Sequence, residues 1–308
     1  MTGWTLADVP DLTGRRALVT GVTSGLGEVT ARELARAGAE VVLAARNREK
    51  LAGTAQSLRS EVPGARLVEL QLDLADLSSV RRAAAAAAEL GALDILVNNA
   101  GVMATPEERT RDGFELQLGT NHLGHFALTG LLLEPLAASG DARVVTVSSL
   151  MARTVRGMSL EDPRNPSGRY RKWNAYGQSK LANLLFTFEL DRRARGAGLP
   201  VTAVAAHPGY TETNLVDNGM NMGRRTINGA IGVAVTSLVG QSVAQGATPQ
   251  IRAAVEPGLA GGTYVGPQGP FEMHGAPGYV TPPRPARDPE LAARLWELSE
   301  RATGVSFP

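Results

Sequence analysis

The chain has 308 residues, 43% of them apolar, with 31 basic and 30 acidic side chains and a formal net charge of +1. That composition suits one large α/β domain, 1–308, better than two small ones, and the near-neutral balance offers neither a nucleic-acid footprint nor a polybasic membrane face. Cysteine is absent, which excludes disulfides, thiolate catalysis and Cys-ligated zinc and is compatible with a reducing cytoplasm.

The first sixteen residues carry no basic region followed by an apolar stretch, so no signal peptide is expected. Residues 16–20 are a short apolar run that ends at a glycine-rich turn, and helical spacing over 29–37 stops at Gly38. The next strand is 40–45, followed by a helix to about residue 60. A strand at 67–72, a helix at 78–89 that contains the alanine run 83–88, and a strand at 94–97 follow. Then come a long helix over 112–136, a strand at 143–147, a long helix over 174–195 and a strand at 201–206. Continuous apolar runs separated by helices read as buried parallel strands. Right-handed crossovers then give a Rossmann-type doubly wound parallel sheet of about seven strands, with helices on both faces.

After Pro208 the pattern changes. Residues 214–225 are rich in Gly, Met and Asn without a period and read as a lid. Residues 229–240 are apolar but fall short of the roughly 20 residues a membrane span needs. From 257 to 289 the chain is dense in Gly and Pro, with one short strand candidate at 262–265, and a last helix over 289–302 completes a C-terminal extension.

The first strand runs into Thr20-Gly21-Val22-Thr23-Ser24-Gly25-Leu26-Gly27. Glycines let backbone approach a pyrophosphate closely, and the helix that follows offers free N–H groups and the positive end of its dipole. Such a turn by itself only connects a strand to a helix; its place between the first strand and first helix makes Gly21, Thr23, Ser24, Gly25, Leu26 and Gly27 cofactor candidates. A carboxylate at the end of the second strand would bind a ribose 2′-hydroxyl and select NAD. Ala45, Arg46 and Asn47 stand there instead, and a guanidinium suits a 2′-phosphate, so NADP(H) is expected over NAD(H). Asp73 and Leu74 close the third strand, where adenine should lie; Asn98, Asn99, Ala100 and Gly101 close the fourth. Ligands of open α/β sheets bind at such carboxyl ends, although Asn98 or Asn99 could equally tie loops together.

Tyr176-Gly-Gln-Ser-Lys180 begins a long helix and puts Tyr176 and Lys180 on one face. A phenol titrates near about 10, and a neighbouring ammonium is expected to lower that value, so that Tyr176 can act as acid or base on a carbonyl or alcohol oxygen. Ser148 and Ser149 end the fifth strand and offer a hydroxyl to the same oxygen.

In order and spacing, the glycine turn, Asn-Asn-Ala-Gly101, Asn121, the serine pair, Tyr-x-x-x-Lys180 and His207-Pro-Gly209 resemble the short-chain dehydrogenase/reductase family over about residues 12–266. Thr120-Asn-His-Leu-Gly-His-Phe126 and Ser179-Lys-Leu-Ala-Asn183 narrow the resemblance to the branch of retinol dehydrogenases, WW-domain oxidoreductases and protochlorophyllide reductases. The resemblance implies hydride exchange between NADP(H) and a carbonyl or alcohol. Tyr176 would be the acid/base, Lys180 its activator and a ribose ligand, and Ser149 the residue that orients the substrate oxygen. Asn121 would sit at a break in the long helix and support a relay water near Lys180. Pro208, Gly209 and Thr211 would line the nicotinamide, and Thr213 would match a family threonine beyond them.

Two departures bear on substrate. Twenty-six residues separate Ser149 from Tyr176, about twice the interval usual in the family, so an excursion including 164–173 is expected near the mouth of the site. The lack of cysteine argues against light-driven protochlorophyllide reduction. Met151, Met158, Met220 and Met222 flank the expected pocket, where they would either fill irregular gaps or receive a bulky apolar substrate. His122 and His125 lie three apart but have no evident third ligand, so no metal is expected. Arg192, Arg193 and Arg195 read as a solvated helix end. An enoyl or imine reductase is the alternative reading. A nucleotide-sensing regulator without turnover is disfavoured because Asn121, Ser149, Tyr176 and Lys180 are all present. The sequence leaves a homo-oligomer open.

Overall fold

The computed structural model describes residues 3–164, 166–211 and 241–308. The strands are β1 (Arg16–Thr20), β2 (Glu40–Ala45), β3 (Arg66–Gln71), β4 (Ile95–Asn98), β5 (Ala142–Val147), β6 (Val201–Ala206), β7 (Tyr264–Pro267) and β8 (Pro277–Tyr279). They form one sheet in the order β3-β2-β1-β4-β5-β6-β7-β8. All neighbours pair parallel except β7 and β8, which are antiparallel. β1 and β4 are adjacent but far apart in sequence, with Val19 opposite Val97. The chain winds outward on both sides of that pair, so a crevice opens at their carboxyl ends.

Burial explains why these segments are strands. β1, β4, β5 and β6 are β-branched and aliphatic runs buried along nearly their whole length, as expected when helices cover both faces. One face is covered by α1 (Gly25–Arg36), α2 (Arg48–Glu61) and α8 (Val243–Val255), with Leu34, Leu58 and Ile251 in its core. The other carries α3 (Leu77–Ala88), α5 (Gly124–Leu131), α6 (Leu133–Ala138), α7 (Lys172–Gly196) and α9 (Pro289–Thr303). There Phe126, Phe186, Trp296 and Phe307 meet with ring centroids 4.6–5.8 Å apart.

The eighth strand exceeds the expected seven. β8 is three residues inside a Gly/Pro-rich stretch, too short for an apolar pattern to show. The expected helix over 112–136 begins later, at α4 (Leu116–Leu118), passes through a π turn (Gly119–Leu123) and continues as α5 and α6. Asn121 sits within that π turn. α8 had no counterpart in the sequence reading. Gly246 and Pro249 interrupt its spacing, yet its start is marked by a capping box in which Ser242 and Gln245 bond each other's backbone N–H. The lid at 214–225, the apolar segment 229–240 and Thr213 lie outside the described residues.

Candidate active site

The glycine turn joins β1 to α1. Gly21 and Gly25 take φ of +74° and +64°, and a Cβ on Gly27 would stand 2.3 Å from the Gly21 carbonyl oxygen. Strand and helix can therefore approach this closely only without side chains. Ser24 precedes α1 in extended conformation, and its hydroxyl does not cap the helix. The first N–H groups of α1 thus stay available, next to the partly exposed Thr23, Ser24, Gly25 and Leu26. Arg46 stands exposed at the end of β2. Asn47 spends its Oδ1 as the N-cap of α2, accepting from Lys50 N at 2.9 Å. At the end of β3, Asp73 Oδ1 accepts from Ala75 N at 3.0 Å, and Leu74 is buried. A helix N-terminus with free N–H groups at the crevice fits the pyrophosphate of a dinucleotide.

Asn99 mainly ties loops. Its Nδ2 donates to Thr20 O at 2.7 Å, and its Oδ1 accepts from Gln250 of α8 at 3.1 Å. The Thr20 hydroxyl accepts from the N–H of Asn99 (3.0 Å) and of Ala100 (2.9 Å). Beyond them, a Cβ on Gly101 would come 3.1 Å from Asn121 Oδ1 and 3.5 Å from Lys180 Nζ, so this turn opens directly onto the second half of the site.

α7 carries that half. Tyr176 is 5% exposed. Burial pushes its phenol up to about 12, against the opposing influence of the neighbouring Ser149 hydroxyl. Lys180 Nζ lies 5.8 Å from the Tyr176 ring centroid and donates to Val147 O at 3.0 Å; burial brings it down to about 8. In the protein on its own, desolvation of the phenol prevails and keeps Tyr176 protonated. Ser148 turns inward and donates to Lys180 O at 2.8 Å. Ser149 faces Tyr176 and caps the turn Leu150–Arg153 through Met151 N. Asn121 is held on three sides: Oδ1 accepts from Val102 N (2.8 Å), and Nδ2 donates to Val102 O and Ser179 Oγ (both 2.9 Å).

At the end of β6, Gly209 takes φ +68°, and a Cβ there would meet Met273 O at 2.4 Å. Thr211 Oγ1 donates to Pro208 O at 3.0 Å. The turn Pro208–Gly209–Thr211 and the Tyr176/Ser149 pair thus both lie at carboxyl ends of the central strands, as Gly21 does.

Residues 15–161 match the short chain dehydrogenase family. The chain is 39% identical to human retinol dehydrogenase 13 over 311 residues, covering all of this chain and 90% of that protein. With mouse polyprenol dehydrogenase it shares 41% over 306 residues, covering 96% and 86%. A crystal structure of an uncharacterized protein from Mycobacterium paratuberculosis superposes with a TM-score of 0.82 at 45% identity, over all of both chains. The chain belongs to the short-chain dehydrogenase family. It is an oxidoreductase resembling the retinol dehydrogenases.

In this short-chain dehydrogenase the branch motifs acquire physical roles. Ser179 receives the Asn121 amide, and Asn183 shares the Val147 carbonyl with Lys180, at 3.0 Å. Sequence reading left His125 without a function. Its Nδ1 faces the Asn121 carbonyl at 3.0 Å and must donate, so Nε2 accepts from the Thr20 hydroxyl at 2.9 Å. The imidazole thereby links the π turn to the nucleotide turn, and burial keeps it neutral, down at about 4. His122, likewise brought down to about 3 by burial, bonds Ser299 of α9 at 2.8 Å. The excursion after Ser149 is partly anchored to neighbouring segments. Arg164 donates to Ala302 O (3.2 Å), and the Tyr170 hydroxyl donates to Thr105 O (3.1 Å) and accepts from Gln117 (2.7 Å). One reading is corrected: Arg192 and Arg193 are not merely solvated but clasp the buried Glu189, while Arg195 pairs with Asp191 at 3.0 Å.

Proposed function

We infer that the enzyme is NADP(H)-dependent and exchanges a hydride with the carbonyl or alcohol carbon of a bulky apolar substrate. The observation that carries this reading is the buried Tyr176 beside Ser149, with Lys180 Nζ 5.8 Å from its ring centroid and close to the Gly101 turn that follows β4. Gly21, Thr23, Ser24, Gly25, Leu26 and Gly27 would receive the pyrophosphate, Arg46 and Asn47 the 2′-phosphate, and Asp73 and Leu74 the adenine. Asn99, Ala100, Gly101, Pro208, Gly209 and Thr211 would border the nicotinamide half. When bound, the nicotinamide supplies or accepts the hydride. Tyr176, protonated at neutral pH, gives its proton to the carbonyl oxygen, and the Ser149 hydroxyl donates to that same oxygen and orients it. In the reverse direction Tyr176 takes the alcohol proton. Asn121 holds the π turn beside Lys180.

Two of the relatives are named for retinol and polyprenol, both apolar isoprenoid alcohols. A long apolar alcohol or its aldehyde is thus the substrate class. No described helix is long and apolar enough to cross a membrane. The cysteine-free sequence suits a reducing cytoplasm, and 1–308 acts as one domain on its single sheet.

Cofactor-linked turnover against a panel of apolar aldehydes, ketones and enones tests this reading directly, with aldehydes or ketones expected to be reduced and enone C=C bonds left intact. Dissociation constants for NADPH and NADH test the cofactor. NADPH should bind more tightly by about 1.5–3 kcal/mol, the range for a charged hydrogen bond, and Arg46→Ala should erase most of that difference. Equal affinities, or a ratio unchanged in Arg46→Ala, would contradict the cofactor assignment.

A further inference from the structure

His207 is wholly buried at the end of β6. Its Nδ1 accepts the N–H of Gly209 at 3.2 Å, so the ring proton sits on Nε2, which donates to Glu272 Oε2 at 3.1 Å. The ring cannot swing away, because β7 passes so close that a Cβ on Gly266 would stand 2.1 Å from Nε2. The segment bearing Glu272 grips the same turn a second time, where Met273 O accepts from Tyr210 N at 2.7 Å. Glu272 also receives Arg153 on both carboxylate oxygens, at 2.7 and 2.8 Å. Arg153 lies four residues past Ser149 and donates in addition to Thr281 O at 2.7 Å.

This arrangement is held against a backbone cost. Phe271 and Glu272 are consecutive non-glycine residues in the left-handed region, at φ +52° and +57°. The phenyl ring of Phe271 is 90% exposed, so its packing returns nothing for that conformation. What the conformation achieves is to bring one carboxylate to both His207 and Arg153. Burial alone would raise Glu272, yet the bonds with these two partners bring it below the ordinary carboxylate range and keep it charged.

We propose that Glu272 is a positioning residue for the nicotinamide half of the site: it spaces the Pro208–Gly209 turn from the Ser149 segment by holding His207 on one side and Arg153 on the other. The proposal rests on the cofactor reading above. Glu272 touches neither substrate nor cofactor and acts through the turn alone.

Its test compares two probes on the full chain: ADP-ribose, which has the nucleotide and pyrophosphate but no nicotinamide, and whichever of NADPH or NADH binds the wild type more tightly. Glu272→Ala should weaken the dinucleotide about 10-fold or more, the scale of one lost charged hydrogen bond, and leave ADP-ribose within about twofold. Glu272→Gln keeps an oxygen for His207 and gives up the charge facing Arg153, so it should recover part of the loss; being isosteric, it also serves if the alanine variant does not fold. Arg153→Met should show the same selective loss. An equal loss of both probes, or no loss of either, would overturn the positioning role while leaving the cofactor reading intact. A wild-type protein that binds ADP-ribose but neither dinucleotide would overturn the cofactor reading, and the positioning role with it.

Discussion

Tyr176 and Lys180 are both driven toward their neutral forms by burial, the phenol up to about 12 and the ammonium down to about 8. For carbonyl reduction the first shift is useful, since the proton donor stays loaded across neutral pH. The second sets a limit. Lys180 is charged below about pH 8 and loses its proton above it, so the cation beside the developing phenolate disappears as pH rises. For reduction, kcat/KM, which reports the free enzyme, should be level at neutral pH and decline above about pH 8. A profile level to pH 10 would deny the Lys180 charge any part in the step. The identities of these residues were legible in the sequence because i, i+4 spacing on a helix fixes which side chains share a face. Their proton affinities were not legible, because the sequence does not show how completely the fold dries Tyr176.

The helix caps are where local sequence acts most directly. Asp76 caps α3 by accepting from Ser78 N (2.9 Å) and Ser79 N (3.3 Å), and it also meets Ser78 Oγ (2.6 Å) and Arg111 (2.9 Å). The Ser78 hydroxyl is the largest influence that holds its carboxyl down at about 2, against burial and with help from Arg111 and the two N–H groups. The folded value lies below the ordinary one near about 4, so the cap stabilises fully above about pH 4 and is lost as pH falls through about 2. Asp76→Ala should cost about 1 kcal/mol at pH 7, measured by urea denaturation, and the difference from wild type should vanish near pH 2. An undiminished difference at pH 2 would show that packing, and not the charged cap, separates the two proteins. Elements whose caps and apolar period agree, such as α3 and α9, were placed from sequence to within a residue or two. α8 escaped because Pro249 and Gly246 break its period, although Ser242 and Gln245 supply its cap. The start of the long helix was misjudged, at 112 instead of Leu116, whereas the break expected at Asn121 coincides with the π turn at Gly119–Leu123.

Across the whole molecule, the α/β alternation was enough to give the sheet and its crevice, because parallel strands with right-handed crossovers admit few arrangements. The edge at β7 and β8 was only half legible, as its geometry comes from glycines that allow close approach, Gly266 on His207 above all. How the C-terminus joins the rest follows from α9. Trp296 is almost fully buried and stacks on Phe186 at 5.8 Å, with the Arg193 guanidinium 4.6 Å from its ring. Trp296→Ala should cost about 3–5 kcal/mol and lower one cooperative thermal transition for the entire chain; a separate early transition would mean that the C-terminal part folds independently of 1–308 as a unit. The central claim, that Tyr176 is the acid/base of a nicotinamide-linked reaction, is most directly tested by Tyr176→Phe, which deletes one oxygen and keeps the ring. Turnover of an apolar aldehyde should fall by about 10²–10⁴-fold, while the NADPH dissociation constant stays within about twofold. Near wild-type turnover in that variant would contradict the claim.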